Sequence, residues 1–274
     1  MTAHQTAKAQ AFRALHGRGS AFIIPNPWDV SSARILTGLG FEALATSSGA
    51  AAGTFGRRDG GITRAQSLAN ARAIVEATDL PVAADLENGF GHGADEVALT
   101  IREASGIGLV GGSIEDCTGG KDGGIYPIDV AVARIKAAAA AVGALPVPFV
   151  LTARAENFIR GRPDLDDTIA RLKAYEAAGA EVLFAPGLPD ITAVKRVCSA
   201  LTKPFNFMVG IKGKSFSFAE LESAGVVRVS LATSLYRAAM TGLIEAAREA
   251  RDKGTFGFVD RSLPTPDINA ALKA

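Results

Sequence analysis

Eight short apolar runs, each followed by a longer amphipathic stretch, restrict the fold of this chain more than any other feature. The runs occupy residues 22–26, 43–48, 82–86, 109–114, 149–153, 182–185, 205–209 and 226–230. They are continuously apolar rather than alternating, the pattern of strands buried on both faces of a parallel sheet. Helical patterns fill the intervals at 30–37, 63–77, 94–104, 129–142, 166–178, 191–200, 218–223 and 234–253, with Thr63 as an N-cap. Eight strand–helix units in 274 residues have the arithmetic of an α/β chain folded as a (β/α)8 TIM barrel. An open, doubly wound sheet is the alternative. No linker composition divides the chain, so residues 1–274 read as one barrel domain. Residues 254–274, with Pro264 and Pro266, form a C-terminal extension that is either unstructured or packed on a neighbouring subunit.

Composition narrows the function classes. Lys+Arg number 29 and Asp+Glu 28, a formal charge of +1, which offers no electrostatic footprint for nucleic acid or an anionic membrane. Hydrophobic residues at 48% against 21% charged argue for a packed core and against disorder. Cys117 and Cys198 are the two cysteines, too few for a disulfide framework and without CxxC spacing. The first twenty residues lack the apolar centre of a signal peptide, and no stretch is long and apolar enough to span a membrane. A soluble, cytoplasmic protein is expected.

In such a barrel the chemistry lies where the strands end. Asp59, Asp85, Glu87, Glu115, Asp116 and Glu156 all follow strand runs. Converging carboxylates repel one another unless a cation sits among them. With no His or Cys cluster beside them, oxygen-only ligands point to a hard ion, Mg2+ or Mn2+. The plainer alternative is a set of solvated loops and helix-start acids, with Asp116 and Glu156 orienting a ligand or Arg154. Arg154 suits an anionic oxygen, or simply neutralises Glu115 or Glu156. Ser47-Ser48-Gly49 offers hydroxyls and backbone N–H groups to a carboxylate or phosphonate, or is an ordinary turn. The glycine-rich stretch 119–124, carrying Lys121, reads as a lid over a bound anion or as an exposed loop. Residues 210–215 end in Gly-Lys-Ser, but Met208 stands where a phosphate-binding loop needs its first glycine. His92 reads as a surface residue and Cys117 as a small filler.

Taken in order, several segments resemble the isocitrate lyase/phosphoenolpyruvate mutase superfamily. They are residues 26–34, Ser47-Ser48-Gly49, Arg58-Asp59, Asp85-Leu86-Glu87-Asn88-Gly89-Phe90-Gly91, Ile114-Glu115-Asp116 and Ala153-Arg154-Ala155-Glu156. The likeness covers roughly residues 20–250. It implies a barrel whose C-terminal helix is swapped between subunits of a homodimer or homotetramer. It implies Mg2+ with Asp85 as direct ligand, and Glu87, Glu115 and Asp59 around the ion through water. Ser47, Ser48 and Gly49 would bind the substrate carboxylate and Arg154 the oxyanion, with Trp28 and Asn206 lining the pocket.

The departures matter as much. The usual DxD of strand three is Asp85-Leu86-Glu87, no KxCGH lid follows strand four, and Phe184-Ala185-Pro186 lacks the mutases' histidine. The reading is therefore a Mg2+-dependent lyase or decarboxylase that forms or consumes a pyruvate-like enolate of a small 2-oxo or 2-hydroxy acid. Asp59 and Arg154 are its catalytic candidates; for the general acid or base the candidates are Asp59, a metal-bound water and, third, Tyr126. The alternatives are carbon–phosphorus chemistry, as a phosphonomutase or phosphonopyruvate hydrolase, and a barrel that binds an oxo acid without turning it over.

Overall fold

The computed structural model describes residues 3–119 and 123–273. Its strands are β1 (Phe22–Ile24), β2 (Leu44–Ala45), β3 (Val82–Asp85), β4 (Gly111–Glu115), β5 (Val150–Arg154), β6 (Val182–Phe184), β7 (Phe205–Met208) and β8 (Arg228–Ser230). They are ordered β1-β8-β7-β6-β5-β4-β3-β2, and every ladder is parallel. β1 pairs with β8 from Phe22↔Arg228 to Ile24↔Ser230. At the remaining seam the Ala45 N–H donates to the Pro25 carbonyl at 3.0 Å. The ring is thus nearly closed, and an open sheet is excluded.

The helices are α1 (Ala3–Gly17), α2 (Val30–Gly38), α3 (Ser48–Thr54), α4 (Arg64–Glu76), α5 (Ala94–Gly106), α6 (Ile128–Gly143), α7 (Leu165–Ala177), α8 (Ile191–Ala200), α9 (Phe218–Ser223), α10 (Ser234–Arg248) and α11 (Thr265–Ala271). Thr63 caps α4 as expected, and Gln66 completes a capping box. The main core lies between strands and helices, around Leu44, Ile74, Ile101, Ile114, Phe149 and Leu151. None of the described helices is long and apolar enough to cross a membrane.

Three segments differ from the sequence reading. The run 43–48 is a strand over two residues only, because Ser48 already opens α3. The expected helix 234–253 is α-helical to Arg248 and then loosens into a π turn, Glu249–Lys253. The C-terminal extension is not unstructured: its residues Thr265–Ala271 form α11, which packs against α2 of the same chain. α10 has no buried residue, and Leu243 and Ile244 remain exposed on it.

α1 closes the barrel from below. Phe12, fully buried, enters the ring at the strand starts among Phe22, Ile24, Ala83, Val110, Val150 and Val182. A Cβ at Gly111 would lie 2.8 Å from the Phe12 ring, so glycine there makes room for the plug. His16, one turn on, meets Phe12 and Phe22 edge-on at 4.8 and 5.1 Å. Burial, and then the nearby Arg228 charge, push its pKa down to about 3, so the ring is neutral. Its Nδ1–H donates to the Phe12 carbonyl at 2.8 Å, which leaves Nε2 as an acceptor.

Removing the plug leaves a cavity that the strands cannot collapse into. Phe12→Ala should destabilise the fold by about 3–5 kcal/mol. Urea unfolding, compared with Leu15→Ala at the partly buried edge of the same cluster, checks this; equal small losses would show that α1 does not seal the barrel.

Candidate active site

The strand ends carry two cavities that share Arg154 as a wall. The outer one, about 280 Å³, is lined by Ser48, Asp59, Glu87, Glu115, Cys117, Arg154 and Arg160 among others. The inner one, about 70 Å³, is lined by Asn26, Ser47, Asp85, Arg154, Asn206 and Arg228 among others. Nine of the ten predicted site residues lie at this mouth. Gly49 belongs through contact: a Cβ there would stand 3.3 Å from the Asp59 carboxyl carbon and 2.9 Å from Thr233. Trp28 lines neither cavity and packs edge-on against Tyr236 of α10, 5.5 Å between centroids. Tyr126 also lines neither; its hydroxyl is 2.7 Å from His92 Nδ1.

Asp85 is held by backbone. Its Oδ2 accepts from the Ser48 N–H at 3.2 Å and its Oδ1 from the Glu87 N–H at 3.1 Å. The Asp85 N–H donates to Thr46 Oγ1 at 3.1 Å. Glu87 sits in the left-handed region, φ +49°, a conformation that costs about 1–3 kcal/mol outside glycine. One of its oxygens, Oε1, is buried with no hydrogen-bond partner. Burial, then the charges of Asp85 and Asp59, push its pKa up to about 8.

A guanidinium pair organises the rest. Arg154 Nη1 stands 3.2 Å from Glu115 Oε2 and 3.7 Å from Asp85 Oδ2, and its Nε bonds Glu156 Oε1. Arg160 Nε donates to Glu156 Oε2 at 3.0 Å, so the fully buried Glu156 is clamped from both sides. Burial alone would lower the Arg154 pKa, but Glu156, Glu115 and Asp85 outweigh it and raise it. Glu115 is raised to about 8 by burial and then by Glu156. Its Oε1 accepts the Cys117 thiol proton at 3.0 Å, and burial followed by the Glu115 charge raises that thiol's pKa. Cys117 is therefore more than filler: it partners a site carboxylate.

Asp116 stands apart from this chemistry. It is buried and accepts from the Glu156 N–H at 2.8 Å, Tyr175 at 2.6 Å and Arg171 at 3.1 Å, which ties β4, β5 and α7 together. The described residues bring ligand atoms of Glu115, Cys117 and Glu156 within 4.8 Å of one another. Glu156 is already saturated by two guanidiniums and Cys117 is held as the thiol, so this triad suits a cation poorly. The Asp85–Glu87–Glu115 side fits better, because Glu87 Oε1 is an orphaned acceptor and Asp85 meets Arg154 only at 3.7 Å.

Two site residues escaped the sequence reading. Arg160 was signalled only by its i,i+4 spacing from Glu156, and Arg228 by a charge inside an apolar run. Of the glycine-rich stretch, residues 120–122, including Lys121, lie outside the described residues. The stretch is anchored at its base, where the Thr118 N–H donates to the Gly124 carbonyl at 2.8 Å and Cys117 bridges Ile125.

Glu87 and Glu115 keep a proton in the fold up to about pH 8, whereas the unfolded chain releases it near 4.5. The folded state therefore binds more protons across that window, and stability falls as pH rises through it. In EDTA, the urea midpoint should drop between pH 5 and 8, and Glu87→Gln should flatten the drop. An unchanged slope in that variant would remove Glu87 as its source.

With this geometry in place, comparison with known proteins is informative. The sequence profile of the family described as phosphoenolpyruvate phosphomutase matches residues 12–251. A crystal structure of a provisionally named lyase/mutase from Burkholderia cenocepacia J2315 is 50% identical, with a TM-score of 0.96 over 100% of this chain and 98% of that one. The 2-methylisocitrate lyase of Escherichia coli K12 is 30% identical over 93% of this chain and 88% of its own. The oxaloacetate decarboxylase of Chromohalobacter salexigens is 29% identical over 88% and 84%.

Proposed function

The chain belongs to the phosphoenolpyruvate mutase/isocitrate lyase superfamily of enzymes, and from that premise we propose a Mg2+-dependent carbon–carbon lyase or decarboxylase. Its substrate is a small 2-oxo or 2-hydroxy carboxylic acid, and the shared step forms or consumes a pyruvate-like enolate. One observation carries this reading: a buried, unpartnered Glu87 oxygen shares a cavity with Glu115, while Arg154 stands between them and Asp85. Carboxylates at Asp85, Glu87 and Glu115 beside the pinned Arg154 guanidinium suit a hard cation next to an oxyanion.

Asp85, Glu87 and Glu115 are the residues that would hold Mg2+, with Mn2+ as a substitute. Bound there, the ion would supply Lewis-acid polarisation of the substrate oxygens. The chain's own groups do the remainder. The hydroxyls of Ser47 and Ser48 and the Gly49 N–H bind the substrate carboxylate. Arg154, fixed by Glu156, donates to the oxygen that gains charge as the enolate forms; because Glu156 and Glu115 already orient it, little reorganisation is needed. Asn206 lines the inner wall. Asp59, exposed at the rim and against Gly49, takes or returns the proton. The uncovered Leu243 and Ile244 of α10 support association of copies into a homodimer or homotetramer.

Asp85→Ala should abolish both Mg2+ binding by calorimetry and turnover while circular dichroism stays native, and Asp85→Asn, whose single carbonyl oxygen keeps one of the two accepted backbone N–H contacts, should do the same. Retained Mg2+ affinity in both would overturn the ligand assignment. Arg154→Lys should lower kcat by about tenfold or more with a smaller change in KM, since a lysine cannot hold two carboxylates and an oxyanion at once. The reaction itself is read by proton NMR of C3–C6 oxo and hydroxy acids with Mg2+. Release of pyruvate or loss of CO2 is expected; turnover of phosphonopyruvate alone would move the enzyme to carbon–phosphorus chemistry.

A further inference from the structure

Arg228 sits inside the ring of strands with no carboxylate to meet it. It is 7% exposed, and among the described residues no ion pair includes it. Its Nε donates to Asn206 Oδ1 at 2.8 Å, its Nη2 to Thr152 Oγ1 at 3.0 Å, and its Nη1 to His16 Nε2 at 3.3 Å. Thr152 is on β5, which is no neighbour of β8, so that bond crosses the barrel interior. His16 is neutral, with its Nδ1–H given to the Phe12 carbonyl, so its Nε2 accepts. Each nitrogen of the guanidinium has its own acceptor, and the plane of the group is fixed.

The other buried guanidiniums are employed differently. Arg154 and Arg171 hold carboxylates. Arg134 gathers the backbone carbonyls of Asn88, His92 and Gly93. Arg228 instead holds a side-chain amide, and the direction of that amide matters to the site.

Asn206 and Arg228 are register partners on β7 and β8, so their side chains share the inner face. Ser230 is two residues further along β8, on the same face and nearer the mouth. Asn206 Nδ2 donates to Ser230 Oγ at 3.0 Å. The amide oxygen is therefore on the Arg228 side and the nitrogen on the mouth side. An amide turned end for end fills nearly the same space, so packing does not choose between the two directions. The partners do. The Ser230 hydroxyl can donate or accept, and it tolerates either end. Arg228 can only donate, and a turned amide would set two buried N–H groups against each other. Asn206 lines the inner cavity with Ser47 and Arg154. One of its Nδ2 protons goes to Ser230, and no acceptor among the described residues takes the other.

We propose that Arg228 is a positioning residue for Asn206: unable to accept a hydrogen bond, it locks the amide with its N–H edge toward the inner cavity, so that a substrate oxygen there meets a donor. This deepens the functional reading above and rests on it for the charge on that oxygen. His16 extends the lock to α1, because the tautomer set by the Phe12 carbonyl supplies the acceptor that holds Nη1.

Oxalate, a planar dianion with the outline of a pyruvate enolate, is the probe, read by calorimetry on the full chain with Mg2+. Arg228→Gln, whose amide accepts as well as donates, should weaken oxalate about tenfold, the worth of a charge-assisted hydrogen bond. Arg228→Lys, still a donor only, should stay within about threefold, although its buried charge has fewer partners and its melting temperature should be the lower of the two. Affinity then follows donor character rather than stability; equal losses in the two variants overturn the lock. A double-mutant cycle separates the lock from a direct effect of charge. In an Asn206→Ser background no amide is left to turn, and Arg228→Gln should cost less than about twofold. A tenfold loss kept in that background puts the Arg228 charge on the ligand itself and overturns the positioning role.

Should the Arg228 variants fold poorly, the wild type decides. The side-chain amide signals of Asn206, assigned by their loss in Asn206→Ser, should show a nuclear Overhauser contact to the Ser230 β protons without ligand, and should shift when oxalate and Mg2+ bind. A missing contact, or amide signals unmoved by bound oxalate, overturns the proposal and leaves the functional reading standing. Failure of the wild type to bind oxalate with Mg2+ overturns the functional reading and, with it, the service of the amide to an oxyanion.

Discussion

Carboxylates taken out of water at the end of a strand must be neutralised, and the structure depends on how this is done. Glu115 and Glu156 are both buried at adjacent strand ends, where burial and then the Glu156 charge push the Glu115 pKa up to about 8. Arg154 stands between them, and Arg160 closes on Glu156 from the following turn. The clamp fixes Arg154 more firmly than packing could, because three carboxylates hold it from different sides. What remains unpartnered is Glu87 Oε1. The site is therefore polarised: one side is complete in itself, and the other is built to receive positive charge.

The barrel interior follows the same logic from bottom to top. Phe12 and the small and branched residues around it make an apolar floor. Above it lies a layer of neutral polar contacts, where His16, Thr152 and Asn206 surround Arg228. Above that comes the acidic mouth. His16 links the first two layers, since its Nδ1–H is committed to the Phe12 carbonyl and its other nitrogen faces Arg228. The identity of a residue on the N-terminal helix thus bears on the charge environment beneath the site.

Much of this was legible in the sequence, because parallel strands buried on both faces leave continuous apolar runs, and their ends mark the mouth. The residues at those ends, from Ser47 to Glu156, could be named without coordinates for that reason, whereas Asn206 was named from the family resemblance. What resisted reading had physical causes. α1 buries only Gln5, Ala9 and Phe12, too sparse a stripe to stand out by period. α3 is built from small residues, Ser48-Gly49-Ala50-Ala51-Ala52-Gly53-Thr54, which imitate a loop. The family resemblance implied Trp28 as a pocket wall, but its ring turns to Tyr236 on α10. Arg228 could be seen as an anomaly in an apolar run, yet only its neighbours reveal that no carboxylate meets it.

The loop after β3 shows why a longer acid is tolerated at position 87. Glu87 and Phe90 both adopt left-handed backbone, φ +49° and +57°, around Gly89 at +82°. Such a loop persists only if its surroundings over-determine it. Arg134, reaching in from α6, collects the carbonyls of Asn88 and His92, and Thr100 of α5 donates to the Gly89 carbonyl at 2.7 Å. The loop is thus held by helices outside the barrel as well as by Asp85 and the Glu115 N–H within the site. The backbone at 87 is set before its side chain is chosen, so an extra methylene changes the reach of the carboxylate without releasing the turn. The unpartnered Oε1 of Glu87 is the result: an acceptor kept in place by the turn that carries it.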